Sequence, residues 1–177
     1  MKQINIDFNN PEKTLGELLT NRGLTIATAE SCTAGGIGNK ISSVPGASSY
    51  LVGGVITYAT ETKEKLLGVK HSTVKEHNVV SANVALEMAT GVMELFDTDV
   101  SIGITGLAGP NDVDNIKSGT IYIAVAIRTN KKLKLPDAIK IINCNFNSPN
   151  RAENINNAIY NAVLYAAIEV QDNFPAL

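Results

Sequence analysis

The stretch from Thr25 to Gly36 constrains this chain more than any other segment. Thr25-Ile26-Ala27-Thr28-Ala29 is a β-branched and small-residue run that passes at once into Glu30-Ser31-Cys32-Thr33-Ala34-Gly35-Gly36. A run that ends in hydroxyls and paired glycines predicts a strand delivering its last residues onto a helix N-terminus. Free N–H groups at such a junction, reinforced by the helix dipole, can hold a phosphate or a developing oxyanion, and glycines let the backbone approach closely. Ser31 is therefore the first candidate for a nucleophile.

The remaining elements follow from periodicity and punctuation. Asn10 as a cap, Pro11 at the first helical position and Glu12 in the first turn open a helix with Leu15, Leu18 and Leu19 on one face, and Gly23 closes it. After the Leu24–Ala29 strand, a helix from Ser31 to Ile41 is stopped by Val44-Pro45-Gly46. Its glycines read either as close packing against a sheet or ligand, or as plain loop glycines. Val52–Tyr58 reads as a strand, Thr60 as the cap of a helix through Leu67, and Ser72–Asn78 as a short helical turn. Ser81 caps a helix through Phe96, whose Ala85, Met88, Ala89 and Val92 face inward. A strand from Val100 to Ile104 breaks into Thr105-Gly106-Leu107-Ala108-Gly109-Pro110, a second glycine-rich strand end that can lie beside the first. Strands over Gly119–Arg128 and Ile139–Phe146, joined across Asn130-Lys131, form an antiparallel pair. Ser148 and Pro149 then open a terminal helix with Arg151 in its first turn. This order predicts an α/β fold, a three-layer α/β/α sandwich around a mixed sheet of parallel strands plus an antiparallel pair.

Composition narrows the function. The chain has 177 residues, enough for one domain with a sizeable core, so a single domain over 1–177 is expected. Fifteen basic against seventeen acidic side chains, with no basic tract, argue against nucleic acid as a partner. The uncharged stretch Ile41–Thr60 is long enough to raise a membrane question, but Pro45 and its Ser/Gly content speak for a loop, a short helix and a strand. Two cysteines without metal-type spacing, and no signal peptide at Met1-Lys2-Gln3, point to reduced thiols in the cytoplasm. No membrane contact, metal or cofactor is expected, and the apolar helical faces would permit a homodimer or larger homo-oligomer.

Several constellations compete for the chemistry. Lys63 falls in a first helical turn, where the dipole and desolvation would lower its pKa and make it a general base; the alternative is a solvated lysine like Lys65. Arg151 reads as a phosphate or carboxylate clamp or as a solvated arginine. Cys32 is either a thiol nucleophile or a small buried packer. A Ser-His-Asp hydrolase is set aside, because no G-x-S-x-G occurs and His71 and His77 are the only histidines. Ser72-Thr73-Val74-Lys75, Ser81-Ala82-Asn83 and Lys117-Ser118-Gly119 imitate a penicillin-binding site, but the first two stand too close together for the helical domain such enzymes insert there.

Thr28-Ala29-Glu30-Ser31-Cys32-Thr33-Ala34-Gly35-Gly36, Val44-Pro45-Gly46-Ala47-Ser48, Gly54-Val55-Ile56-Thr57-Tyr58, Lys63 with Leu66-Leu67-Gly68-Val69, Val80-Ser81 and Gly103–Pro110 occur in that order. Together they resemble the CinA C-terminal domain family over essentially the whole chain, in a stand-alone form. The resemblance implies a hydrolase converting nicotinamide mononucleotide to nicotinic acid mononucleotide and ammonia, within pyridine nucleotide salvage. Carried over by position, it implies Ser31 as nucleophile and Lys63 as base, with Tyr58 also in the catalytic set. Glu30, Cys32, Thr33, Gly35, Thr105, Gly106, Gly109 and Arg151 are implied at the small-molecule nucleotide, Arg151 near its phosphate.

Two departures stand out. Many relatives follow Gly-Pro with a glycine-rich run and Lys-Pro-Val-Gly-Thr, whereas this chain has Asn111-Asp112-Val113-Asp114-Asn115-Ile116 and then Lys117-Ser118-Gly119-Thr120. Relatives also often carry a second arginine one turn after the first, where this chain has Asn154 and Ile155. A weakened phosphate grip would follow, and with it an alternative function: a nucleotide-binding or interaction module without chemistry.

Overall fold

Strands β1 (Ile26–Glu30), β2 (Leu51–Ile56), β3 (Val100–Leu107), β4 (Thr120–Ile127) and β5 (Ala138–Asn145) form one sheet in the order β2-β1-β3-β4-β5. This is a computed structural model, and it describes residues 4–175, so the Met1-Lys2-Gln3 start lies outside the described residues. β1 pairs in parallel with both β2 and β3, whereas β4 is antiparallel to β3 and to β5. The helices are α1 (Pro11–Arg22), α2 (Gly36–Ser42), α3 (Thr60–Leu67), α4 (His71–His77), α5 (Ala82–Phe96) and α6 (Arg151–Asn173), with a 3-10 turn over Ala47–Ser49.

Alternation along the strands sorts the side chains into two cores. Ile26, Ile102, Ile104, Ile121 and Ile123 project to the face covered by α1, α2 and α6, where Leu15, Leu18, Ile37 and Val163 meet them. Ala27 and Ala29 face the other way onto Val84, Met88 and Val92 of α5 and Leu67 of α3. Ala124 and Ala126 meet Ala85 and Ala89 of the same helix. Small strand residues bring α5 close: a Cβ on Gly103 would strike the backbone of Ala85 and Ala89. The result is a three-layer α/β/α arrangement with a mixed sheet.

The boundaries differ from the sequence reading where tertiary partners intervene. α2 starts at Gly36 rather than Ser31, because residues 31–35 form a turn closed onto the Glu30 carboxylate. β3 continues to Leu107, since Thr105, Gly106 and Leu107 pair with Tyr122, Ile121 and Thr120 of β4. β2 ends at Ile56, leaving Tyr58 beyond the strand, and Ala59 instead of Thr60 takes the N-cap position of α3. α6 begins at Arg151, with the Asn150 side chain accepting the Ala152 N–H at 2.9 Å; Ser148 and Pro149 precede the helix. No helix among the described residues is long and apolar enough to cross a membrane.

Candidate active site

β1 lies between β2 and β3, so the chain order reverses there and the three parallel strands end side by side. Crevices outside the carboxyl ends of strands at such a reversal are where open α/β sheets collect ligands. Ser31 follows β1, Thr57 and Tyr58 follow β2, and Ala108 and Gly109 follow β3.

Lys63 reaches this crevice from the first turns of α3. Its Nζ donates to Ser31 Oγ at 3.0 Å, to the Thr57 carbonyl at 2.7 Å and to the Tyr58 carbonyl at 3.1 Å. The side chain is 1% exposed, which rules out the solvated alternative, while Lys65 is exposed. No carboxylate among the described residues pairs with this ammonium, and burial pushes its pKa below the ordinary lysine value. Once neutral, the amine keeps two N–H donors and one lone pair. The two carbonyls only accept, so they take the two donors and leave the lone pair for the Ser31 hydroxyl. An amine able to act as a base thus stands within hydrogen-bond reach of a hydroxyl able to act as a nucleophile. The Thr57 carbonyl carried no signal in the sequence, where Thr57 reads as part of the Val52–Tyr58 strand; in the structure β2 ends at Ile56 and frees it.

Glu30 does not face the crevice as a substrate ligand. It is 1% exposed on the α2 side of the sheet, and both carboxylate oxygens are occupied by protein donors. Oε2 accepts from Thr33 Oγ1 at 2.7 Å and from the Gly35 and Ile37 N–H groups at 3.0 Å each. Oε1 accepts from the Gly38 N–H at 2.8 Å and from Thr28 Oγ1 at 3.2 Å. The carboxylate therefore caps α2. Gly35 supplies the positive φ of 95° that brings the chain around it. The Thr33 hydroxyl is tied to Glu30, but the Cys32 and Thr33 N–H groups donate to nothing among the described residues.

Thr105 donates its buried hydroxyl to the Val79 carbonyl at 2.9 Å, and this first residue of the expected glycine-rich strand end is instead part of β3. Gly106 likewise lies in the β3–β4 ladder, opposite Ile121. Cys32 is buried, and that burial pushes its thiol up to about 12, so it is a packing residue rather than a thiolate nucleophile. Arg151 spans the crevice rim, donating to the Gly109 carbonyl and to the Tyr58 hydroxyl, each at 3.0 Å. Tyr58 itself is 60% exposed.

Asn154, at the place of the second arginine that the resemblance implies, is fully buried and donates to the carbonyls of Ala108 and Ser148, each at 2.9 Å. The first turns of α6 thus hold consecutive carbonyls of the loop after β3 through Asn154 and Arg151. The divergent loop is closed by Asp112, which accepts from Lys117 Nζ at 2.7 Å and from the Ser118 N–H at 2.8 Å. Beside it, a cavity of about 300 Å³ is lined by Pro110, Lys117, Ser118 and Phe146. Among the described residues no group of three or more His, Cys, Asp or Glu side chains is arranged to hold a metal.

Comparison with known proteins agrees with this architecture. Residues 9–169 match a family model described as the CinA C-terminal domain. A CinA-like protein of Flavobacterium psychrophilum is 49% identical over 116 residues, 65% of this chain and 28% of that protein. A CinA-like protein of Chloroherpeton thalassium is 47% identical over 116 residues, again 65% of this chain and 28% of that protein. The matched part is thus under a third of those relatives' length. Among solved structures, a competence-damaged protein (CinA) superfamily protein from Escherichia coli is 27% identical with a TM-score of 0.81, over 96% of this chain and 95% of that one. A CinA superfamily protein from Klebsiella pneumoniae, at 24% identity, shares the fold with a TM-score of 0.85 over 94% and 99% of the two chains.

Proposed function

The chain belongs to the CinA C-terminal domain family, and from that premise we propose that it is an amidohydrolase that deamidates nicotinamide mononucleotide, yielding nicotinic acid mononucleotide and ammonia for pyridine nucleotide salvage. The observation that carries the reading is the buried contact of 3.0 Å between Lys63 Nζ and Ser31 Oγ, with no carboxylate among the described residues paired with the amine.

The chemistry runs as a two-step acyl transfer. Neutral Lys63 takes the Ser31 proton while Oγ bonds to the carboxamide carbon, and the oxyanion is held by the Cys32 and Thr33 N–H groups, which have no other acceptor among the described residues. The carbon–nitrogen bond then breaks, and Lys63 returns its proton to the departing ammonia. A water, deprotonated by the same amine, attacks the ester; the acid leaves and Ser31 regains its proton. Arg151 presents its guanidinium fork at the rim, suited to the phosphate of a mononucleotide, and Tyr58 holds that guanidinium on its outer side.

A second reading, a mononucleotide-binding module without chemistry, is favoured by one feature: position 154 offers the crevice no cation, because Asn154 is fully buried. Ammonia release from nicotinamide mononucleotide, measured beside Ser31→Ala and Lys63→Ala, decides between them. The amidase reading expects release by the unaltered protein and none by either folded variant. A rise in melting temperature with the mononucleotide but no ammonia supports the module.

A further inference from the structure

We propose that Glu30 is a positioning residue, whose buried carboxylate sets the geometry of the Ser31 turn and, through its own backbone, that of the Lys63 support. This rests on the reading of Ser31 as the nucleophile. Glu30 stands immediately before Ser31 in the chain, and its carboxylate accepts both from the middle and from the far end of the turn that follows. The Thr33 hydroxyl and the Gly35 N–H bind it from within the turn, and the Ile37 and Gly38 N–H groups bind it from the first turn of α2. Inside this frame the Ala34 N–H closes onto the Ser31 carbonyl at 3.1 Å, with φ of 48° at Ala34 and 95° at Gly35. Glycine takes up a positive φ freely, but the left-handed conformation of Ala34 is unfavourable for a free loop. Donors converging on one buried anion hold it there.

The backbone of the same residue works on the opposite wall. The Glu30 carbonyl accepts the Thr57 N–H at 2.8 Å, and the Thr57 carbonyl is the shortest of the three contacts to Lys63 Nζ. One residue therefore ties the nucleophile turn to the segment that aims the amine. A carboxylate is suited to this place because all its lone pairs accept. Glutamine would set an NH2 against backbone N–H groups, since every neighbour that Glu30 meets here is a donor.

Geometry of this kind affects the rate of attack at Ser31 more than the binding of a nucleotide whose contacts lie on the rim. The test is the rate at which phenylmethylsulfonyl fluoride modifies Ser31, followed by mass spectrometry, in the unaltered protein and in Glu30→Gln, with KM and kcat for ammonia release measured alongside. Expected is a loss of about a hundredfold in labelling and in kcat, with KM within about threefold, in a variant that keeps its secondary structure. Equal labelling rates in the two proteins overturn the inference. If the unaltered protein is labelled at no greater rate than Ser31→Ala, it is the nucleophile reading that fails. Should Glu30→Gln not fold, Thr33→Val and Thr28→Val decide, because each removes one donor to the same carboxylate, from the turn and from the strand respectively. Slower labelling in Thr33→Val than in Thr28→Val at similar stability supports positioning, and equal labelling overturns it.

Discussion

Lys63 Nζ and Ser31 Oγ stand 3.0 Å apart across 32 positions of sequence, in a place where the amine has two backbone carbonyls and one hydroxyl as neighbours. The base form of Lys63 is the neutral one, so the rate rises with pH as the proton leaves. Burial holds the pKa of this amine below the ordinary lysine value, which places the acid limb of the kcat profile lower than a free lysine would. Lys63→Arg stays charged at every accessible pH, and its kcat is expected to fall by about 10²–10⁴-fold without recovery in alkali. A variant that regains activity with pH would contradict the base assignment. Linkage has the same sign: between the folded and unfolded pKa values the unfolded chain binds the extra proton, so Lys63's contribution to stability increases with pH there.

Cys32 sits next to Ser31, the proposed nucleophile, yet its thiol is pushed up to about 12 by burial and remains protonated near neutrality. Iodoacetamide at pH 8 is expected to leave Cys32 unmodified in the folded protein and to alkylate it after denaturation, as peptide mass spectrometry would record. Cys32→Ala should retain kcat within about threefold, because the N–H at this position is unaffected by the side chain. Rapid alkylation of the native protein with loss of activity would reinstate the thiol as nucleophile.

Arg151 bridges the Gly109 carbonyl and the Tyr58 hydroxyl from two guanidinium nitrogens. A lysine there supplies charge but no planar fork. Charge-assisted hydrogen bonds contribute about 1.5–3 kcal/mol, so Arg151→Lys is expected to raise KM for the mononucleotide about ten- to a hundredfold with a smaller change in kcat. A fall confined to kcat would place Arg151 at the chemical step instead of at the phosphate.

Asn154 is fully buried with its amide nitrogen on two carbonyls, so restoring the second arginine at this position would not restore a phosphate grip. Asn154→Arg puts an unpaired charge into the interior, and urea denaturation should show a loss of at least about 3 kcal/mol. Asn154→Ala, which leaves the Ala108 and Ser148 carbonyls without this donor, should lose about 1–3 kcal/mol. An arginine variant as stable as the unaltered chain would mean that the side chain can leave the core for the crevice.

Much of the scaffold was legible because its signals are local. Pro11 and Gly23 bound α1, the Ser81 hydroxyl accepts the Val84 N–H at 3.3 Å as a capping serine does, and the β-branched Ile121, Ile123 and Val125 mark a strand buried on both faces. Signals failed where a distant partner competed with local preference. The glycines at 35 and 36 read as the interior of a helix from Ser31, until the Glu30 carboxylate takes up the N–H groups of the first turn. Thr105 and Gly106 read as loop, until β4 extends the ladder past them.

By itself the sequence determined the order of strands and helices, the strand end carrying Ser31, and the motifs that identify the family, since each depends on residues near one another in the chain. Only the tertiary structure decided which side chains face the crevice. Glu30 and Ser31 are adjacent in sequence, yet at the end of β1 one carboxylate turns in to cap α2 while the neighbouring hydroxyl meets Lys63. Successive residues of a strand point to opposite faces, and which face holds a helix and which a crevice depends on where the chain crosses over.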